Sequence, residues 1–235
     1  MEISKANKEL NKAGLQFFYS SFENNFFDSM SNEIVTTYEP RINELKAQIK
    51  SDKKALGYMK HMELFMLEEK LLAISKMRIV HAYIHFEIHL KQLIRLCYSE
   101  FENINKTPLN RWDLIKAFLK SKDIILQEIS NYDQINQLRL LNNVIKHSGD
   151  STHKTITGFS EFKNKKTFTH TDLNQFYTRI EYSGSNFLKS LVNQINRDLF
   201  EFDDLKLETI SGRLSKRMSN ETIDKLIEKL DTKKR

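Results

Sequence analysis

The chain has 235 residues, 40 % of them hydrophobic and 29 % charged, with a net charge of +6, a mix that suits one large globular domain or one domain with appendages. Two prolines and six glycines are too few turn formers for a β-sandwich or barrel, and the lone cysteine excludes an intramolecular disulfide and a cysteine-based zinc site. The basic excess is compatible with nucleic acid or an anionic surface and establishes neither.

The opening "MEISKANKEL" has no apolar run behind a basic start, so no secretory signal is predicted. No stretch approaches the apolar length that spans a bilayer. A cytoplasmic protein without membrane contact is the expectation. In "GLQFFYSSFENNFF", Phe18, Phe22 and Phe26 recur at i, i+4 and i+8. One helical row of rings follows, facing the core or another subunit. Pro40 sits where a first helical turn accepts proline, opening "PRINELKAQIKSDKK".

From about Tyr58 to Glu100 the apolar periodicity runs without a proline. It predicts one long helix, or two joined by a small kink, with Leu71–Cys97 as the centre of a bundle. "NINKTPLN" breaks the chain near Pro108, and "RWDLIKAFLKSKDIILQEIS" supplies one or two short helices. Asn131 and Asp133 are candidate N-caps for the helix that follows, and Gly149 is the candidate residue that ends it. Residues 151–170 alternate Thr with Phe and Ile, predicting a short β-hairpin or an ordered loop. Another long helix follows, interrupted or bent near Gly184, and "NETIDKLIEKL" in the basic tail reads as a short amphipathic helix. The predicted class is all-α, a helical bundle around a long central helix. Residues 1–204 form one helical domain and 205–235 a polar, basic C-terminal extension.

Several chemistries lack their parts. There is no glycine-rich phosphate loop after a strand, no strand–Gly–Ser–Gly elbow and no zincin HExxH. On the central helix, "VHAYIHFEIHL" places His81, His85 and His89 along one edge, shared with Arg78 and Gln92. An i, i+4 histidine pair can chelate a metal. No carboxylate joins that edge, however, and three rings spread over two turns cannot meet one ion. A partly solvated or subunit-facing polar edge is the preferred reading. Glu87, at the margin of the core stripe, needs a partner because a lone buried charge is too costly. Lys91 one turn on offers a structural ion pair; a polar residue on the neighbouring helix is the functional alternative.

"LRLLNNVIKHSGD", residues 138–150, concentrates polar chemistry. On a helical wheel Leu138, Leu141, Val144 and Ile145 share one side. Arg139, Asn143, Lys146 and His147 fall within about 100° on another, with Asn142 at the boundary. Histidine serves as general acid or base near neutral pH, and Arg or Lys holds a phosphate. RNA cleavage through the 2′-hydroxyl needs little else and no metal. The plain alternative is a solvated helix end whose cations complement the macrodipole.

A long helix with an acidic residue in its apolar middle, "MRIVHAYIHFEIHLKQLIRLC", followed by a helix ending "LRLLNNVIKHSG", resembles the HEPN superfamily of small all-α domains. The match is best over residues 70–150. Many members are metal-independent ribonucleases of toxin–antitoxin, abortive-infection and CRISPR-linked defence systems. Their motif is an Arg, usually followed by a polar residue such as Asn, then a His about four to six residues after the Arg, and two copies commonly meet to form one active site. Carried over, the resemblance gives Asn143 the polar position and His147 the histidine. Asn142 stands where the family has Arg, and Glu87 matches the acidic residue of the long helix. It implies a metal-independent RNA endonuclease of antiviral defence, acting as a homodimer without a cofactor. His147 would be its acid/base, Arg139 and Lys146 its phosphate contacts, Asn142 and Asn143 orienting groups, and Glu87 the group that orients the cluster. RNA, a second copy, and an antitoxin or other defence protein are the implied partners. The displaced arginine keeps a second reading open, a catalytically inactive HEPN-like module for dimerisation, RNA or partner binding. A helical scaffold with no nucleic-acid role is a third.

Overall fold

The computed structural model describes residues 33–51, 57–99, 104, 107–148 and 153–233; the Phe18, Phe22, Phe26 row and Gly149 lie outside them. The protein is all-α, with no β-strand among the described residues. A π-helical turn, Ile34–Tyr38, leads into α1 (Glu39–Ser51), with Pro40 in its first turn as predicted. Then come α2 (Gly57–Tyr98), α3 (Trp112–Lys120), α4 (Tyr132–Ser148), α5 (His170–Ile180), α6 (Ser183–Phe200), α7 (Asp204–Ser215) and α8 (Asn220–Lys233).

Helix α2 organises the rest. Its 42 residues contain no proline and extend about 63 Å at 1.5 Å per residue. Ile79, Tyr83, Phe86, Leu90, Leu93, Ile94 and Cys97 are buried along one face, together with apolar residues of α3, α4, α5 and α6. Cys97, with its thiol pushed up to about 12 by burial, is one of these packed core residues. Contacts with α2 climb in register with the later chain. Asn174 accepts from Arg78 at 2.8 Å, Phe187 lies 5.6 Å from Phe86, and the Tyr98 hydroxyl donates to Asp198 at 3.0 Å. Helices α5 and α6 therefore run parallel to α2. They are separate elements, interrupted at Glu181 and Tyr182, two residues before the predicted bend at Gly184.

Near its N-terminal half α2 is covered by α1, through a small core of Ile34, Ile42 and Leu71. The ion pairs Arg41–Glu63 at 2.7 Å and Lys46–Glu68 at 2.9 Å are well exposed, so they add little to this apolar contact.

Residues 153–169 take the loop alternative rather than the hairpin. Successive turns close from Ile156 to His153, Phe159 to Ile156, Phe162 to Phe159 and Lys165 to Phe162, at 2.9, 3.0, 3.1 and 3.2 Å. The reason is a repeat of three. Ile156 and Phe162 are buried, and Phe159 and Phe162 pack on Phe176 of α5 with ring centroids 6.0 and 5.9 Å away. A strand would turn every second residue outward and break that cluster.

Thr169 then caps α5 in a reciprocal capping box with Asp172, and Lys165 also pairs with the Asp172 carboxylate. The extension after residue 204 consists of two helices, neither with a buried residue. Lys206 fastens it by donating to the carbonyls of Arg197, Asp198 and Glu201 at the end of α6, where a cation also meets the negative end of the helix dipole. No described helix is long and apolar enough to cross a membrane.

Candidate functional site at the end of helix α4

Helix α4 follows Asn131, which adopts a left-handed conformation (φ 64°) that Asn tolerates better than most residues. Asp133 lies in its first turn, and Lys146 and His147 lie in its last, matching the dipole at each end. Ile135, Leu138, Leu141 and Val144 are buried against the core, as the wheel predicts.

The structure separates the six candidate residues. Asn143, Lys146 and His147 are exposed together at the C-terminal end of α4. Asn142 is not at a boundary; it is buried, with 1 % of its surface exposed. Its Nδ2 donates to Asn143 Oδ1 at 3.3 Å, while its Oδ1 has no hydrogen-bond partner among the described residues. Packing against α2 draws this position inward, because α4 meets the core over a broader arc than its aliphatic residues define.

Arg139 does not reach toward His147. Its Nε and Nη2 donate to Asn136 Oδ1 at 3.2 and 2.9 Å, and the guanidinium lies 5.9 Å above the Trp112 ring. Helical side chains lean toward the N-terminus, so Arg139 extends back one turn while His147 lies two turns ahead. Trp112 completes an aromatic floor, 6.5 Å from both Phe86 and Tyr132.

Glu87 takes the structural alternative, pairing with Lys91 at 3.0 Å on its own helix. Its charge is nevertheless felt at the α2–α4 contact. The Tyr83 phenol is pushed up to about 12 by burial and by the Glu87 carboxylate, against the opposing pull of Arg139. Glu87 and Arg139 thus act on the same buried hydroxyl without bonding each other.

On the histidine edge, His81 is exposed while His85 and His89 are half-buried. The rings of the last two lie 4.0 Å apart and tilted by 52°, and His89 Nδ1 is 2.8 Å from the His85 carbonyl oxygen. Burial, followed by the neighbouring His89, depresses His85 to about 4. Among the described residues no three His, Cys, Asp or Glu side chains are placed to hold a metal ion.

Two polar clusters escape the sequence reading. Arg78, assigned there to the histidine edge, is only 4 % exposed. It lies 4.1 Å over Tyr177 and donates to Asn174, with burial lowering its pKa. Ser75, one turn earlier, donates to the same Asn174 oxygen at 3.3 Å. The second cluster joins the loop to α5. Arg179 donates to Glu161 at 2.6 and 3.1 Å and to Gln137 of α4 at 3.0 Å. Burial raises the Glu161 carboxyl, but the Arg179 hydrogen bonds outweigh it and leave the group below its ordinary value.

Comparison with known proteins returns no match: no family model, no curated protein and no solved structure matches this chain.

Proposed function

We propose that this chain is a HEPN-like, metal-independent RNA endonuclease of a prokaryotic defence or toxin–antitoxin system, working from the end of α4. The observation that carries the reading is the joint exposure of Asn143, Lys146 and His147 on the last turn of that helix. His147 would take the 2′-hydroxyl proton as the 2′-oxygen bonds to phosphorus. The bond to the 5′-oxygen breaks, that oxygen takes up the proton His147 has gained, and a 2′,3′-cyclic phosphate remains. Lys146 would hold the phosphate as charge develops, and Asn143 would orient it. Arg139, Asn142 and Glu87 act as supports, given their bonds to Asn136, Asn143 and Lys91. In this reading the protein acts in the cytoplasm as a homodimer, and an antitoxin or another defence protein restrains or triggers it.

One observation favours a second reading. The position where the family carries arginine is a buried asparagine, and the nearest arginine is tied to Asn136 and Trp112. A catalytically inactive HEPN-like module would bind RNA or a partner protein through the same helix end. Binding and cleavage of single-stranded RNA, measured separately for wild type, Lys146→Ala and His147→Ala, distinguish the two. Cleavage lost in His147→Ala with binding retained supports the nuclease. Binding by wild type, weakened in Lys146→Ala and never followed by cleavage, supports the inactive module. RNA neither bound nor cut removes both.

A further inference from the structure

Helix α2 is apolar on two faces, and only one of them meets the core. The outward face carries Met62, Met66, Met77, Ile84 and Ile88, exposed at 44, 53, 53, 37 and 47 %, with the small, exposed Ala73 between them. These six positions fall into two rows, 62, 73, 84 and 66, 77, 88, each repeating every eleven residues. An eleven-residue repeat drifts by only about 20° per repeat on a straight helix. The side chains accordingly keep within an arc of about 80°, roughly opposite the buried face.

The pattern is also symmetric about position 75. Met62 mirrors Ile88, Met66 mirrors Ile84, and Ala73 mirrors Met77. A two-fold interface places the same surface against itself, and two such helices laid antiparallel would oppose an apolar residue to every member of the row. We propose that this face pairs two copies of the chain, their α2 helices antiparallel and the two-fold axis level with Ser75. Near the axis the small Ala73 receives Met77 of the other copy, and methionine adapts readily to such a gap. Glu87 borders the row on one flank, ion-paired to Lys91 one turn beyond the end of the row, and exposed Lys70, His81 and Gln92 border the other, a polar rim around an apolar centre.

The area sets the strength. From Met62 to Ile88 the row is about 39 Å long, and a helix face about 11 Å wide gives roughly 430 Å² per copy, or about 860 Å² in total. Stable complexes bury about 1,600 Å², so this pairing belongs with the small, reversible interfaces. A foreign partner would need no mirror symmetry in the row, which is why a second copy is the occupant it fits.

The pairing stands on the apolar face alone and does not depend on RNA. Sedimentation velocity of the full chain is expected to show a monomer–dimer equilibrium that shifts with concentration. Ile84→Glu sets a charge opposite Met66 at both ends of the interface and is expected to abolish the dimer. The variant remains folded by circular dichroism, since Ile84 lies outside the core. Under mild oxidation Ala73→Cys with Met77→Cys is expected to form a covalent dimer, whereas Ala73→Cys alone is not. A monomer at every concentration, or a dimer unchanged by Ile84→Glu, overturns the proposal. Crosslinking by Ala73→Cys alone shows parallel pairing and likewise overturns it. His147→Ala is expected to dimerise as wild type does, so failure of the RNA reading and failure of the pairing are told apart.

Discussion

Replacing Asn142 by alanine is expected to stabilise the protein. Its Oδ1 is buried without a partner, a state that costs about 1–3 kcal/mol. Removing the amide sacrifices only the 3.3 Å bond to exposed Asn143, a contribution of about 0.5 kcal/mol. The small cavity left behind costs roughly 0.5–1 kcal/mol, and the better helix propensity of alanine returns about 0.5 kcal/mol. The balance is a gain of about 1 kcal/mol, or a rise of about 2–4 °C in Tm for a chain of this size. Restoring the family arginine has the opposite sign. Asn142→Arg would bury a guanidinium at a position 1 % exposed, at a cost of about 3–5 kcal/mol when no carboxylate answers it. Urea unfolding followed by circular dichroism, with calorimetric Tm values, measures both. The reasoning fails if Asn142→Ala loses more than about 1 kcal/mol, which would mean its oxygen has a partner in solution. It fails equally if Asn142→Arg unfolds where wild type does.

Two further outcomes test the packing around the site. Arg179→Ala strands the Glu161 carboxylate, 8 % exposed, and is expected to cost about 2–3 kcal/mol, short of the full penalty because Arg179 itself is partly solvated; a change below about 0.5 kcal/mol by urea unfolding contradicts that burial. His85 is held neutral, at about 4, against about 6.5 in an unfolded chain. Its contribution is complete above pH 6.5 and disappears as the pH falls toward 4. That loss is about 2 kcal/mol after allowing for the half-exposed ring. His85→Gln is expected to flatten the stability profile over that window, and an unchanged slope would show that other groups set it.

The elements built on continuous periodicity were legible. The span of α2 follows from a long apolar repeat with no proline, and the start of α1 from Pro40. The loop at 153–169 was harder, because its Thr/Phe alternation suggests a repeat of two while Ile156, Phe159 and Phe162 pack with a repeat of three. Only the Phe176 ring, far along the chain, decides between them. The capping box was there to be read: Thr169 and Asp172 have the spacing of the motif. At the site the wheel placed Asn143, Lys146 and His147 outward. The depth of Asn142 depends on how closely α2 approaches, which no single helix encodes. The direction of Arg139 was readable from first principles, since long side chains on a helix lean toward its N-terminus.

The account turns on His147. The most direct measurement is single-turnover cleavage of single-stranded RNA by the purified full chain in EDTA, with His147→Ala in parallel. The account predicts fragments ending in 2′,3′-cyclic phosphate from wild type and a loss of about 100-fold or more in the variant. Equal cleavage by both proteins would contradict it, as would intact RNA in the wild-type reaction.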